Sequence, residues 1–322
     1  MKNKSLYSRR DFTKLTTLGA IGSIPLINTA NTILTPTILV PNDLKIFVFS
    51  KHLQFLNYMD MAEAAKEIGF DGIDLTVRDK GHVSPEKVLE DLPKATEAIK
   101  AFGFTPDMIT TKIKDIDNPL HIKILETASQ LHYTYCRMGW LKYSENNKIL
   151  KDLNEFKNKI TDLSKLTHSL GIIGTYQNHA GIYMGSSIWD LDQVLEGINP
   201  NHLGAQYDIT HATVEGGRNW EVGFRLIQDH INSLVIKDFK WGISNGKWKP
   251  IYTPLGEGMV DFNSYLFLLK KLNINVPISL HYEYDLGGAE HGGTTLSISH
   301  KEVFARMKKD VIFLREAWKN IE

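Results

Sequence analysis

The sequence lacks several features that would assign it at once to a class of protein. It contains one cysteine, Cys136, so an internal disulfide is excluded and we expect a small buried side chain there. Lysine plus arginine and aspartate plus glutamate each total 37, so no excess charge favours a nucleic acid, an anionic membrane or an acidic polymer as partner. The expected partner is a small substrate, neutral or weakly charged. No repeat, low-complexity tract or break in composition indicates a second domain.

The N-terminal residues have the features of an export signal. Ser8-Arg9-Arg10-Asp11-Phe12-Thr13-Lys14 is similar to a twin-arginine motif, and the apolar stretch 15–27 that follows is too short to span a bilayer. We predict that residues 1–35 are a twin-arginine signal and linker, and that the protein is exported, into the periplasm, with no stable membrane span once the signal is removed. The alternative is a basic amphipathic N-terminal helix.

Strand-like and helix-like segments alternate through residues 40–322. Eight β-like runs occupy 44–50, 72–77, 106–113, 133–140, 172–179, 203–211, 233–239 and 277–284. A segment with apolar residues at helical spacing follows each run, at 59–69, 85–103, 120–132, 153–171, 187–198, 220–231, 262–272 and 298–321. Eight βα units predict a single-domain (β/α)8 TIM barrel.

An open doubly wound sheet is the competing α/β architecture. Such a sheet usually carries a glycine-rich phosphate loop after its first strand, whereas Lys51-His52-Leu53-Gln54 follows the first run here. The longest loop-like stretch, 241–261, is rich in glycine and proline. We expect either a lid or binding loop, or a passive surface excursion, after the seventh strand.

Polar clusters close four of the β-like runs in the second half of the chain. Because the carboxyl ends of the strands share one rim of a TIM barrel, we expect the clusters to converge on an active site. Side chains alternate along a strand, and this alternation places one set of polar side chains inside the barrel. The clusters are Tyr176-Gln177-Asn178-His179, Tyr207-Asp208-Ile209-Thr210-His211, Lys237-Asp238-Phe239-Lys240 and His281-Tyr282-Glu283-Tyr284.

These side chains suit either metal binding or proton transfer. Asp208 and Glu283 are hard oxygen donors that, together with His211 or His179, can hold Mn²⁺, Mg²⁺ or Zn²⁺. Lys237 can act as an acid or stabilise a developing enolate. Structural alternatives stay open: Asp208 can cap the following turn, and Lys237 can neutralise Asp208 and Glu283. His281 can be a structural histidine.

The first half of the chain supplies further candidates for substrate binding. Asp74 ends the second run, and Arg78 and His82 follow it, so this group either binds substrate hydroxyls or forms a surface turn. Arg137 and Trp140 end the fourth run. They offer a hydrogen-bonding fork and an aromatic ring on which a sugar can stack, and Trp241 offers another ring. Packing in the core is the alternative for both tryptophans.

From residue 44 to 321 the chain resembles the xylose isomerase-like superfamily of TIM barrels, which contains sugar phosphate isomerases and epimerases. The resemblance is carried, in this order, by Gly69-Phe70-Asp71-Gly72-Ile73-Asp74-Leu75, Asn178-His179-Ala180-Gly181, Tyr207-Asp208-Ile209-Thr210-His211, Ile236-Lys237-Asp238, Pro254-Leu255-Gly256-Glu257-Gly258 and His281-Tyr282-Glu283. It implies a divalent metal that polarises a carbonyl while a carboxylate moves a proton on the adjacent carbon.

Residue by residue, the resemblance places Asp208, Glu283 and position 177 at the metal and His211 beside the substrate. Two positions depart from the family pattern. Gln177 replaces a metal-binding glutamate, and Val235 replaces a histidine, so replacement ligands such as His179 or His281 would be needed. With Gln177 neutral, Glu283 is the one evident base.

Three functions are therefore expected in competition. The first is proton transfer next to a sugar carbonyl by an isomerase or epimerase, with Glu283 as base, Lys237 and His211 assisting, and a homo-oligomer possible. The second is a keto-sugar lyase or hydratase. The third is a non-catalytic sugar-binding barrel. In each, a carbohydrate contacts the remaining candidates, which are His179, Gln177, Asn178, Asp74, Arg137, Trp140, Trp241 and His281.

Overall fold

A computed structural model describes residues 43–321, so the predicted export signal lies outside the described residues. Eight parallel strands form a closed barrel, and they follow one another around it in chain order. They are β1 (Ile46–Phe49), β2 (Gly72–Thr76), β3 (Met108–Thr110), β4 (Tyr135–Arg137), β5 (Ile173–Gln177), β6 (Leu203–Asp208), β7 (Ile231–Ile236) and β10 (Ile278–Leu280). The pairing of β1 with both β2 and β10 closes the ring, which confirms the predicted TIM barrel.

Nine helices lie between and after these strands in the part of the chain described. They are α1 (Tyr58–Ile68), α2 (Val88–Ala101), α3 (Pro119–Gln130), α4 (Ile149–Ser169), α5 (Ile188–Leu195), α6 (Ile209–Gly216), α7 (Trp220–Ile227), α8 (Phe262–Lys271) and α9 (His300–Asn320). None of these helices combines the length and apolar character that a membrane crossing requires.

The first βα unit shows how local sequence sets the boundaries of an element. The Asn57 side chain caps α1 by accepting a hydrogen bond from the Asp60 amide at 2.9 Å. At the other end Gly69 has φ of 103°, a left-handed conformation that glycine adopts without a Cβ clash. The chain can therefore turn directly into β2, as the glycine stop at this position predicts.

The region after the seventh barrel strand differs from the prediction. β7 begins at Ile231 and ends at Ile236, two residues earlier at its start and three at its end than the predicted run 233–239. The predicted loop 241–261 contains most of an antiparallel hairpin, β8 (Asp238–Ser244) and β9 (Lys247–Thr253). Asn245 and Gly246 both have positive φ at its tip, which is the Asn-Gly hairpin signal. Glycine and proline here mark turns rather than an unstructured loop.

The segment after the hairpin is held by one carboxylate. The two oxygens of Asp238 accept hydrogen bonds from the amides of Phe239, Gly256, Gly258 and Val260 at 2.8 to 3.1 Å. A Cβ on Gly258 would lie 2.2 Å from Asp238 Oδ1, so the close approach requires glycine. The Pro254-to-Gly258 motif therefore builds the rim rather than contacting the cavity.

Candidate active site

A cavity opens at the carboxyl ends of the barrel strands, with about 320 Å³ of empty space that includes its mouth. Its walls come from the ends of six strands or the residues just after them, so the topology of the barrel alone brings the residues together. The lining residues are Phe49, Lys51, Arg78, Arg137, Trp140, Gln177, His179, Lys237, His281 and Glu283.

A buried ion pair lies on one wall of the cavity. Lys237 Nζ is 3.0 Å from Asp208 Oδ2 and donates a hydrogen bond to His211 Nε2 at 2.9 Å. Burial would lower the pKa of the ammonium, but Asp208, and then Tyr252 and Glu283, raise it above its ordinary value. Lys237 therefore carries its charge at neutral pH.

The two partners of Lys237 differ in charge, because Asp208 is ionised and His211 is neutral. Burial alone would raise the pKa of Asp208, but the Lys237 ammonium and the hydrogen bond from the His211 amide hold it below its ordinary range, so the carboxylate is ionised. Burial lowers the pKa of His211 well below its usual value, so the imidazole is neutral. Since Nε2 accepts from the ammonium, the ring proton is on Nδ1. Asp208 Oδ1 also accepts from the His211 amide at 3.1 Å, so this carboxylate caps α6 as well.

Gln177 occupies a position from which it orients two neighbours. Its Nε2 donates to Asp208 Oδ2 at 2.8 Å, and its Oε1 accepts from Arg137 Nη1. The adjacent Asn178 does not line the cavity, because its side chain makes two bonds to the Asp208 backbone, at 2.6 and 3.0 Å. Gln177 thus reaches the site, whereas Asn178, predicted to bind substrate, fixes the strand that carries Asp208.

Glu283 follows β10 and lines the cavity, and its partner is a different lysine. Glu283 Oε1 is 3.1 Å from Lys51 Nζ, and both side chains are partly exposed. Burial lowers the pKa of Lys51, although Glu283 opposes the shift. The site therefore has one solvent-accessible carboxylate beside a lysine, and one buried carboxylate beside another.

Aromatic rings and histidines form the remaining walls. His281 stacks on Phe49 with ring centroids 4.2 Å apart. His179 packs between Trp140 and His211, at centroid distances of 4.3 and 4.0 Å. Burial lowers the pKa of His179 and, more strongly, that of His281. Both imidazoles are neutral at neutral pH, which suits hydrogen bonding to sugar hydroxyls.

Several candidates lie away from the cavity lining. Asp74 is buried below it, where its oxygens accept from the Thr110 and Ser279 hydroxyls at 2.8 and 2.6 Å. His82 hydrogen bonds to Ser50 Oγ and the Leu53 carbonyl. These contacts give Asp74 and His82 a structural role, and direct substrate binding by Asp74 stays a prediction.

Trp241 is also outside the lining. It lies on the β8–β9 hairpin, is 41% exposed, and has its ring centroid 6.1 Å from that of Phe239. The alternation of the hairpin places it beside other exposed apolar side chains on one face. The prediction that Trp241 provides a stacking platform in the cavity is therefore not supported by its position.

Two lining residues, Phe49 and Lys51, were not predicted from the sequence. Phe49 ends β1 and Lys51 follows it, so both satisfy the rule that chemistry gathers after the carboxyl ends of strands. The available signal in the sequence is a lysine directly after the first β-like run.

The donor atoms do not present a site that fits a divalent metal. Asp208 Oδ2 accepts from Lys237 and Gln177, Gln177 Oε1 accepts from Arg137, and Glu283 is paired with Lys51. Within residues 43–321 no group of three or more histidine, cysteine, aspartate or glutamate side chains is arranged to hold a metal ion. The predicted ligands Asp208, Glu283 and Gln177 are instead tied to protein cations and amides.

Comparison with known proteins agrees with this architecture. The model of the xylose isomerase-like TIM barrel family matches residues 62–300. The chain belongs to this family. No curated protein sequence gives a significant match. The family assignment therefore rests on the family model.

Similar solved structures include a sugar epimerase and a dehydratase. The 3-keto-D-glucoside 4-epimerase of E. coli is 14% identical, with a TM-score of 0.63 over 85% of this chain and 100% of that one. The probable 3-DHS dehydratase of Bacillus anthracis is 15% identical, with a TM-score of 0.62 over 83% and 98%. A family protein of Mycobacterium smegmatis in complex with magnesium is 13% identical, with a TM-score of 0.61 over 85% and 98%. At these identities the likeness shows the fold alone.

Proposed function

We propose that the chain is a carbohydrate-active enzyme of the isomerase and epimerase type, which moves a proton on the carbon next to a sugar carbonyl. The observation that carries this proposal is the pair formed by a solvent-accessible carboxylate, Glu283, and a buried ammonium, Lys237, in one cavity. Removing such a proton leaves an enolate, which a fixed neighbouring cation stabilises.

Glu283 is the base in this scheme. Its carboxylate lines the cavity, whereas both oxygens of Asp208 are already engaged by hydrogen bonds from Lys237, Gln177 and the His211 amide. Proton transfer through Asp208 would disrupt a buried ion pair, which costs several kcal/mol. Glu283 pairs with Lys51 through Oε1, but the carboxylate is partly exposed, so it is more accessible than Asp208 to a proton on a bound sugar.

Lys237 supplies the charge at the oxygen where the enolate develops. Its ammonium is held between Asp208 and His211, so it is oriented before substrate arrives and needs no reorganisation. The positions that departed from the family pattern are consistent with this role. Val235 is apolar and Gln177 is neutral, so the protein's own ammonium is the cation nearest to Asp208.

The presence of one base favours some reactions over others. Epimerisation at a carbon needs a proton on each face of the sugar, whereas aldose–ketose isomerisation and elimination can use a single base. The second candidate function is therefore a keto-sugar lyase or hydratase, with Lys237 or His179 helping an oxygen to leave or add. The observation that favours this function is that both oxygens of Asp208 already accept hydrogen bonds, so Asp208 is not available as a second base.

Replacement of Glu283 by glutamine tests the base. We expect Glu283→Gln to lower exchange of the proton next to the carbonyl by at least 100-fold in D₂O, because a general base contributes about 10²–10⁴-fold. The substrates are soluble keto-sugars and matched aldoses, followed by NMR. Glu221→Gln, at an exposed position of α7, is the matched control and keeps full activity.

Each outcome distinguishes one function from the others. Exchange with interconversion of aldose and ketose supports the isomerase, and exchange with net loss or gain of water supports the lyase or hydratase. Sugar binding without exchange in the wild-type protein contradicts an enzyme and leaves a binding barrel. Activity retained in Glu283→Gln would remove Glu283 from the base role.

We further propose that the protein acts outside the cytoplasm, on free or oxidised sugars. The support is the twin-arginine motif at Arg9-Arg10 and the apolar stretch after it. Fractionation of cells that express the full chain tests this proposal. We expect wild-type protein in the periplasm, and the Arg9→Lys/Arg10→Lys variant in the cytoplasm.

A further inference from the structure

The cavity contains more cations than the proposed proton transfer uses. Lys237 is paired with Asp208, and Lys51 with Glu283. The guanidinium groups of Arg78 and Arg137 line the same cavity, yet within residues 43–321 no carboxylate oxygen lies within 4.0 Å of either. Two arginines therefore face the cavity without an anionic partner.

Arg137 is more deeply buried than Arg78. Only 3% of the residue is exposed, its Nη1 donates to the neutral Gln177 amide, and its Nε has no acceptor among the described residues. Its guanidinium lies 4.8 Å from the centre of the Trp140 ring and 5.9 Å from that of Phe49. Burial, with Arg78 nearby, lowers its pKa to about 10, which leaves it charged at neutral pH.

Arg78 adds a second charge beside the same ring. Its guanidinium lies 5.2 Å from the centre of the Phe49 ring. Two like charges on one desolvated wall repel each other, and such an arrangement is costly unless an anion joins them. Asp74 lies below, but both its oxygens accept from hydroxyl groups and it forms no ion pair with either arginine. Burial lowers the pKa of both arginines, and Asp74 opposes this shift through space but contacts neither, so a direct anionic partner for the two guanidinium groups would be supplied by a ligand.

The charge balance indicates the type of anion. The four cations around the cavity are Lys51, Arg78, Arg137 and Lys237, and the carboxylates in or directly below it are Asp74, Asp208 and Glu283. Burial raises the pKa of Asp74, although the Ser279 and Thr110 hydroxyls and the two arginines oppose the shift; with this and the other carboxylates ionised, one positive charge is in excess. A carboxylate carries one negative charge and matches this excess, whereas a phosphate monoester carries nearly two.

We infer that the substrate is a sugar acid whose carboxylate binds to Arg78 and Arg137. The inference rests on the proposed function for the carbohydrate itself and adds its chemical class. Arginine suits this task because its planar fork can donate two parallel hydrogen bonds to a carboxylate. The zero net charge of the whole chain predicted a neutral or weakly charged substrate, and the local charge around the cavity refines that expectation.

Binding of matched sugar pairs tests the inference. D-glucuronate and D-glucose, and likewise D-galacturonate and D-galactose, differ only in a carboxylate for a hydroxymethyl group. Calorimetric titration of the wild-type protein should give at least tenfold tighter binding of the acid in at least one pair. Arg78→Met should reduce that preference to less than threefold, and Arg78→Lys should retain part of it.

Controls separate this result from unfolding and from nonspecific charge effects. Arg225→Met removes an exposed arginine of α7 and should leave the preference unchanged. Acids that bind no better than the neutral sugars, including the case in which neither binds, would overturn the inference. Acetate or inorganic phosphate binding as tightly as the sugar acids, or glucose 6-phosphate binding more tightly than glucuronate, would overturn it too.

Failure of the proposed function gives a different result. Proton exchange in D₂O is measured on the same sugars. Preferential binding of a sugar acid without exchange contradicts the proton-transfer enzyme and leaves the arginine site intact. Exchange on neutral sugars with no preference for the acid contradicts the arginine site alone.

Discussion

At the scale of single residues, the substitution of two expected ligands changes what the remaining ones do. Gln177 donates to Asp208 where a glutamate would add negative charge, and Val235 provides no imidazole. With both ligands replaced, Asp208 would be a buried carboxylate without a cation. The Lys237 ammonium, 3.0 Å away, supplies the compensating positive charge. The ammonium and the amide therefore form one electrostatic unit.

This unit predicts how the protein responds to metal and to chelator. Prolonged EDTA treatment should leave the activity of the wild-type protein within twofold, and Mn²⁺ should give no measurable heat of binding in the millimolar range. The combined Lys237→Ala and Gln177→Glu variant removes the ammonium and adds a carboxylate beside Asp208, so its Mn²⁺ affinity should rise at least tenfold. Calorimetric titration and metal analysis check both expectations.

The control for this experiment is Gln177→Glu alone. With Lys237 still in place, the ammonium opposes a metal ion, so the gain in affinity should be smaller than in the combined variant. Stoichiometric metal in the purified wild-type protein, with activity lost on its removal, would contradict the role given to Lys237.

At the scale of elements, one hairpin and one loop complete the rim after β7. The hairpin carries Tyr252, whose ring centre lies 5.7 Å from Lys237 Nζ. The loop behind it is held by the four amide hydrogen bonds to Asp238. The rim next to Lys237 is therefore fixed by these hydrogen bonds together with the buried side chains of Leu255 and Val260.

Loss of the Asp238 charge should destabilise this rim. Asp238→Asn keeps one oxygen but turns an NH₂ group toward the Gly256 and Gly258 amides, so two hydrogen bonds are lost. Because Gly256 is exposed and Gly258 is half-buried, each bond contributes about 0.5–1.5 kcal/mol, and the free energy of unfolding should fall by roughly 1–3 kcal/mol. Urea denaturation measures the change.

Asp261→Asn is the matched control, because the side chain at position 261 caps α8 and asparagine is an equally good cap. Its unfolding free energy should change by less than about 0.5 kcal/mol. Equal effects of the two substitutions would show that the amide cluster around Asp238 has no special contribution.

At the scale of the whole molecule, the last helix, α9, places a buried carboxyl group against the rim loop and the segment that follows the last strand. Asp310 is 3% exposed, accepts from the Leu255 amide at 3.3 Å and bonds to the Tyr284 hydroxyl at 3.1 Å. Burial, partly opposed by these bonds, raises its pKa to about 7. The group links the rim, the end of the barrel and the last helix.

The raised pKa of Asp310 predicts a pH dependence of stability. A group with a raised folded-state pKa contributes stability that is fully present below its unfolded pKa, near 3.8, and that is lost as pH rises through about 7. Asp310→Asn removes this proton dependence and keeps similar hydrogen bonding. Relative to wild type, the variant should therefore gain more thermal stability at pH 8 than at pH 5.

Thermal unfolding of the wild-type protein and the variant across this range checks the sign. Asp229→Asn, at an exposed position, should show the same small difference from wild type at every pH. A stability difference for Asp310→Asn that does not vary between pH 5 and pH 8 would contradict the raised pKa.

The sequence by itself determined the order of the barrel strands, the carboxyl-end rim and most of the cavity lining. These follow from local patterns: apolar runs, helical spacing, glycine stops, and polar residues at strand ends such as Gln177, Lys237 and Glu283. It also indicated the family and the loss of two ligands. The hairpin after β7 was a local feature that the sequence prediction missed, since 241–261 was expected to be a loop, although the Asn-Gly signal was present.

Only the tertiary structure decided which charges meet. The pairing of Lys237 with Asp208 rather than with Glu283, the pairing of Lys51 with Glu283, and the two arginines without a carboxylate depend on side-chain directions across a closed ring. Separation along the chain does not encode those directions. Electrostatic energies change steeply over a few ångströms in a buried site, so the roles of these residues required coordinates.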